Sequence, residues 1–116
     1  MQCYLLQATY TAKAWAAMLK SPQNREEVVR PVIEKLGGKL ESAYFAFGDY
    51  DGVAIIRMPD NVSASALSMA LMAGGALKAV KTTPLIKMGE AVKAMKKARK
   101  VTYRPPNSSP VFLKRE

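Results

Sequence analysis

Four stretches of the chain have the residue pattern of β-strands. They are rich in β-branched and aromatic side chains and span residues 2–10, 39–47, 50–58 and 77–86. Neither face of the first stretch is strongly polar, which favours a central strand. Pro84 lies in the fourth stretch and predicts an edge position or a strand end, because proline donates no hydrogen bond to a neighbouring strand.

Helical periodicity appears in the segments between the strands. Thr11 is a candidate N-cap for a short first helix, and Ser21-Pro22 has the sequence of a second helix start. Pro31 predicts a kink or a break within that second helix. Gly37 is the expected left-handed residue after its end.

A further helix is predicted from Asp60, its candidate N-cap, to about Gly74. Its stripe of small residues suggests close packing on a sheet and comprises Ser63, Ala66, Leu67, Ala70, Leu71 and Gly74. Residues 89–100 predict a last helix, which is strongly basic. The Pro- and Ser-rich segment after it predicts irregular structure, and Val111-Phe112-Leu113 forms a small apolar patch near the end.

The order of these elements is β-α-β-β-α-β followed by a basic helix, which is the ferredoxin-like pattern. It predicts an α+β fold with a four-stranded antiparallel sheet and both helices on one face. We expect residues 1–88 to form this domain and residues 89–116 to form the basic C-terminal helix and tail. The bare sheet face would need a cover, so a homodimer with two sheets packed face to face is predicted, with assembly of such dimers as a further option.

The turn between the second and third strands is predicted to be a two-residue hairpin. Gly48-Asp49 separates the two runs, and a loop of this length that begins with glycine fits a type II′ turn. Gly48 would then have a positive φ. Asp49, on this interpretation, serves only the turn.

Composition excludes several kinds of catalytic site. The chain has no histidine, so it cannot form a Ser-His or Cys-His catalytic pair or a metal site with histidine ligands. Its one cysteine, Cys3, forms no intrachain disulfide, and with no signal peptide or membrane span in the sequence we expect a cytoplasmic protein. Neither a metal nor a cofactor is predicted.

The net charge of +9 is concentrated at the C-terminal end. The last helix carries a basic patch made of Lys93, Lys96, Lys97, Arg99 and Lys100. Such a patch suits nucleic acid, but the aromatic signature of RNA-recognition modules is absent from the central strands. A solvated charged helix is the preferred interpretation, and its thin apolar face argues against membrane insertion.

Four segments, in this order and at this spacing, resemble the GYD-domain family, named for a G-x-Y-D turn. They are residues 21–25 (SPQNR), 34–40 (EKLGGKL), 48–51 (GDYD, which includes Tyr50) and 59–60 (PD). The resemblance covers roughly residues 1–88 and implies a dimeric ferredoxin-like α/β barrel without an established activity. Pro31 and the basic extension after Met88 depart from the family pattern.

Aromatic and acidic side chains of the first half are the candidate ligand-binding residues. Tyr10, Trp15 and Tyr44 suit a pocket between sheet and helices, with packing in the core or at a dimer interface as the alternative. Asp51 needs a partner if it is buried. Arg25 and Arg57 are candidates for binding an anion, and surface ion pairs are the alternative for both. Cys3 is expected to be a buried, inert thiol.

The leading expectation is therefore a small homodimeric domain that binds a small molecule in the cleft between sheet and helices. One alternative is a cofactor-independent oxygenase or isomerase of the dimeric α/β-barrel kind, which would use Tyr10, Tyr44 or Asp51. The other is a nucleic-acid-associated protein that acts through residues 93–100.

Overall fold

The computed structural model describes residues 1–106 and has an α+β fold. Its elements in chain order are β1 (Gln2–Tyr10), α1 (Ala12–Lys20), α2 (Arg25–Lys35), β2 (Lys39–Phe45), β3 (Gly52–Met58), α3 (Asn61–Ala73), β4 (Leu77–Leu85) and α4 (Met88–Ala98). Residues 1–85 form one compact unit, and a second unit begins at Ile86. The apolar patch predicted at 111–113 lies outside the described residues.

The four strands form one open antiparallel sheet in the order β2-β3-β1-β4. This is the ferredoxin-like strand arrangement. The central position of β1 and the edge position of β4 are confirmed. Pro84 lies opposite Tyr4 in the β1–β4 register, and its missing N–H is tolerated because β4 has a neighbour on one side only.

The core lies between one face of the sheet and the helices α2 and α3. Tyr4, Ile56 and Met58 from the central strands are almost completely buried there. Ile33 of α2 and Leu67 of α3 are equally buried and pack against them. The Tyr4 hydroxyl is kept hydrogen-bonded, since it donates to Gln2 Oε1 (2.7 Å) or Asn61 Oδ1 (2.6 Å).

One face of α2 is apolar and packs on the core. Val29, Val32 and Leu36 are partly buried and pack around Ile33. The packed stripe of α3 differs from the small-residue stripe, because Ala64 is buried while Ala70 is exposed. Ser63, Ala66 and Leu71 are partly buried, so the helix is rotated relative to the predicted face.

The start of α2 corrects the prediction that Ser21 caps it. Ser21 closes α1 instead, since its backbone N–H donates to the Ala17 carbonyl. The cap of α2 is Asn24, whose side chain accepts from the Glu26 N–H at 3.0 Å. Two acidic residues follow Asn24 in the first turn and favour helix formation there through the helix dipole.

Pro31 does not split α2, which runs unbroken from Arg25 to Lys35. Proline removes one hydrogen bond to the carbonyl four residues earlier, here that of Glu27. Both Pro31 and Glu27 are exposed, so water can satisfy that carbonyl. Packing of the opposite side of the helix then holds it together. The predictions for Thr11 and Asp60 as N-caps are confirmed.

Gly37 and Gly38 end α2 with the hydrogen-bond pattern of a Schellman motif. The Gly38 N–H donates to the Ile33 carbonyl and the Gly37 N–H to the Glu34 carbonyl, each at 2.9 Å. Gly37 has φ +84°, as predicted. Gly38 has a different reason to be glycine: a Cβ there would lie 2.4 Å from Met58 Sδ and 2.6 Å from the Arg57 carbonyl oxygen.

The turn after β2 is not the two-residue hairpin that the sequence predicts. The strands separate after Phe45 and meet again at Gly52, so the loop spans residues 46–51. The Ala46 N–H donates to the Asp51 carbonyl at 2.7 Å and closes this loop. Gly48 does not have a positive φ and has open space around it, so its glycine is not required by a type II′ turn.

We predict that Gly38→Ala destabilises the fold by about 1–3 kcal/mol, because its Cβ overpacks a contact with backbone as well as with Met58. Gly48→Ala is the matched control and should change the free energy of unfolding by less than about 0.5 kcal/mol. Urea denaturation of both variants measures the difference. Equal midpoints would show that Gly38 is not sterically confined.

Candidate ligand-binding cleft

A cleft of about 330 Å³ opens between the sheet and the helices α2 and α3. Its floor comes from the helix-facing side of β1, β2 and β3, and Val29 and Val32 of α2 face Leu71 of α3 across it. This volume is at the lower end of the range for small-molecule sites. The cleft lies where the sequence predicts a pocket, within residues 1–85.

The floor of the cleft is made largely of small residues. Ala8, Ala43, Gly52 and Ala54 line it, and Ala70 and Gly74 of α3 add two more small residues above. A Cβ on Gly52 would meet nothing within 4 Å. The space is therefore left by short side chains and does not result from a poor fit of large ones.

Polar groups concentrate at the N-terminal end of α2, where Asn24, Arg25 and Glu26 line the cleft. Glu26 forms an ion pair with Arg30 one turn along the helix. Arg25 is half-buried and donates from one guanidinium nitrogen to Gln23 Oε1 at 2.6 Å. This group of residues is the charged part of an otherwise mainly apolar lining.

Three aromatic rings form a cluster at the end of the cleft. Trp15 packs edge-on against Tyr10 with ring centroids 5.6 Å apart, and Phe45 lies 6.0 Å from Trp15 and 6.2 Å from Tyr10. Tyr10 and Phe45 both line the cleft. The structure thus brings the predicted residues Tyr10 and Trp15 together and adds Phe45 to them.

The β-bulge in β2 explains why Phe45, and not Tyr44, joins this cluster. The register shifts at Glu41, between Leu40 and Ser42, which exchanges the two faces for the rest of the strand. Phe45 then pairs with Gly52 on the helix side. Tyr44 borders the cleft but is 69 % exposed, and it pairs with Val53. Strict alternation from Leu40 puts Tyr44 on the helix side, and no sequence signal marks the bulge.

Asp51 holds the aromatic cluster and the loop in place. Its Oδ2 accepts from the Tyr10 backbone N–H at 2.9 Å and from the Trp15 indole N–H at 3.4 Å. Its own N–H donates to the Ala8 carbonyl at 2.9 Å. Asp51 is half-buried, and it has the partners that the sequence predicts a buried carboxylate to need.

The rest of the GYD turn faces solvent. Gly48 and Asp49 are exposed, as is the neighbouring Phe47, while Tyr50 is half-buried. Among residues 1–106, no side-chain hydrogen bond or ion pair involves Asp49.

The basic patch lies in the second unit of the chain. Lys93, Lys96 and Lys97 belong to α4, Arg99 is its C-cap residue and Lys100 follows, and all five are exposed. Met88, Val92 and Met95 on another side of α4 are exposed as well. The helix therefore presents both a basic and an apolar side to solvent.

Cys3 is half-buried, whereas the sequence predicts a buried thiol, because it lies on the sheet face opposite the core. Within residues 1–106 no cluster of acidic or cysteine side chains suits a metal ion. Across that same range, every helix is too short or too polar to cross a bilayer.

Shifted pKa values occur at structural positions outside the cleft. Burial raises the pKa of the Tyr4 hydroxyl, and Asp60 adds to this effect. The hydrogen bond from Ser63 lowers the pKa of the capping Asp60, and the ion pair with Glu41 raises the pKa of Arg57. Of the two interpretations of Arg57, anion binding or a surface ion pair, the structure shows the ion pair.

We predict that Asp51→Ala destabilises the protein by about 1–3 kcal/mol, since it leaves the Tyr10 N–H and the Trp15 indole without their acceptor. Asp49→Ala, the control from the same loop, should change the free energy of unfolding by less than about 0.5 kcal/mol. Thermal and urea unfolding measure both variants. If Asp51→Ala changes the free energy of unfolding as little as Asp49→Ala does, Asp51 does not hold the loop and the aromatic cluster in place.

The model of the GYD domain matches residues 4–95, which is most of the chain. The match includes all four strands except the first two residues of β1, and it includes the cleft and the loop held by Asp51. Among curated proteins, none matches this chain. With the match extending over far more than half of its length, the chain belongs to the GYD-domain family.

Proposed function

We propose that this protein is a small homodimeric domain that binds a small, mainly apolar molecule in the cleft between the sheet and the helices α2 and α3. The two parts of the proposal have separate support. The cleft supports ligand binding, and the apolar side chains on the sheet face opposite the core support the dimer.

The floor of small residues is the observation that carries ligand binding. Protein interiors are close-packed, and apolar space without a filling side chain loses dispersion contacts. Gly52 and Ala54 leave such space although larger β-forming residues would suit a central strand better. A bound molecule that occupies the space would restore those contacts, and it would shield apolar side chains that otherwise border water.

Binding without catalysis is the proposed function because Asp51 is already engaged. Its Oδ2 is fixed by the Tyr10 N–H and the Trp15 indole, and its backbone N–H is bonded to β1. These contacts are those of a structural residue that supports the wall of the cleft. Tyr10 contributes its ring to the aromatic cluster and Tyr44 is largely exposed.

The second sheet face has an apolar centre bordered by polar side chains that include Arg57 and Lys81. Leu5 of β1 pairs with Ile55 of β3 at its centre, next to Val53, and Cys3 and Gln7 lie alongside. No helix of the unit 1–85 adds to the buried core on this side. A second copy that packs the same face against it would bury these apolar groups and produce the dimeric barrel.

Filling the cleft tests ligand binding. Gly52→Val adds a β-branched side chain where a Cβ meets nothing, so we expect it to fold with undiminished stability and to lose the bound molecule. Mass spectrometry of native protein should find a bound metabolite in the wild type and none in this variant. Gly48→Val, with equally open surroundings, is the control and should retain it. A wild type that carries and binds nothing would refute ligand binding.

A charged substitution on the sheet face opposite the core tests whether the protein forms the proposed dimer. Light scattering should give about twice the chain mass of 12.7 kDa for the wild type. We predict that Ile55→Lys shifts the protein to monomers, because an unpaired charge in an apolar interface is costly. Val62→Lys makes the same chemical change on the exposed side of α3 and should remain dimeric. A monomeric wild type at micromolar concentration would refute the dimer.

A further inference from the structure

We infer that the ligand of the cleft has an apolar body and one anionic group, such as a carboxylate, and that Arg25 binds this group. The polar end of the cleft, formed by Asn24, Arg25 and Glu26, is its mouth. The inference rests on the proposed function of the cleft as a binding site. It adds the chemical class of the ligand and a residue that determines specificity.

The charge balance at the mouth is the first argument. Two charged residues line the cleft, Arg25 and Glu26. Glu26 is neutralised by Arg30 in an ion pair along α2. Arg25 has only the neutral Gln23 amide as a side-chain partner, and within residues 1–106 it forms no ion pair. The mouth therefore carries one uncompensated positive charge.

The geometry of arginine is the second argument. A guanidinium has five N–H donors, and one hydrogen bond to Gln23 leaves most of them available. The planar arrangement of the remaining donors matches a carboxylate or a similar anion in a bidentate contact. Because Arg25 is half-buried, the contact would be less screened by solvent than one on an open surface.

The remaining lining limits the rest of the ligand. Val29, Val32, Leu40 and Leu71 offer only apolar contacts to its body. A second anionic group would find no further cation in the lining, so a singly charged ligand fits best. The volume of about 330 Å³ equals roughly eleven water molecules at about 30 Å³ each, enough for a chain or ring system of about eight to ten carbons.

Trp15 supplies the readout for a direct test. It is the only tryptophan of the chain, and its ring lies against Tyr10 and Phe45, which line the cleft. Fluorescence titrations of the full-length protein would compare sodium octanoate, 1-octanol and octylammonium chloride. These three probes share the same chain length and differ in the charge of the head group.

We expect octanoate to bind about five- to tenfold more tightly than octanol, between the values for an exposed ion pair and for a buried charge-assisted hydrogen bond, and octylammonium to bind most weakly. Arg25→Gln should abolish the preference for octanoate and leave the affinity for octanol unchanged. Lys35→Gln removes the same charge from α2 outside the cleft and should retain the preference.

Two results would overturn the inference in distinguishable ways. If octanol binds as tightly as octanoate, or if Arg25→Gln keeps the preference, the anionic group is wrong. The proposed function then survives provided that Gly52→Val still abolishes octanol binding. If none of the three probes binds the wild type, both the anionic class and the apolar cleft site are refuted.

Discussion

Burial of one sheet face beneath α2 and α3 is the constraint on which the rest of the structure depends. Ile56 and Met58 are completely buried against Ile33 and Leu67, and the period of two then fixes the direction of the other side chains along β3 and its neighbour β1. The same alternation that fills this core leaves Leu5 and Ile55 on the other face. The apolar character of that second face therefore comes from the residue types at these positions and not from the packing of the core.

The core does not extend along the whole length of the helices. Towards the loop between β2 and β3 the floor changes from Ile56 to Ala54 and Gly52, and the helices there cover space that no side chain fills. The core and the cleft use different parts of α2: its C-terminal half packs through Ile33, and its N-terminal turn contributes Arg25 to the lining of the cleft. One helix therefore serves both the core and the site.

Local signals predicted the fold well because they depend on single residues. Thr11 and Asp60 each cap a helix through one hydrogen bond, and Gly37 ends a helix through its own φ, so such positions can be recognised without neighbours. The ferredoxin-like order follows from the sequence of strands and helices. The prediction that α2 begins at Ser21 was wrong. Ser-Pro is a common helix start, but the cap of α2 is Asn24, which is followed by an acidic first turn.

The candidate site was predicted only in part, because its details depend on contacts distant in sequence. The sequence indicates Tyr10, Trp15 and Asp51 as candidates, and these three residues are in contact. Phe45 takes the position expected for Tyr44 because β2 contains one extra residue, which a periodic pattern cannot show. The loop before Gly52 is longer than predicted because Asp51 bonds to β1. Open volume itself leaves no mark in the sequence.

Asp51 also bears on what membership of the family can mean. The residue that gives the GYD motif its last letter fixes a loop and an aromatic cluster to the first strand, while the space around the motif's glycine is open. A signature of this kind identifies an architecture. Two chains that share it are expected to share the sheet and the loop, whereas residues 48–51 do not line the cleft, so the motif by itself does not determine the chemistry of the lining.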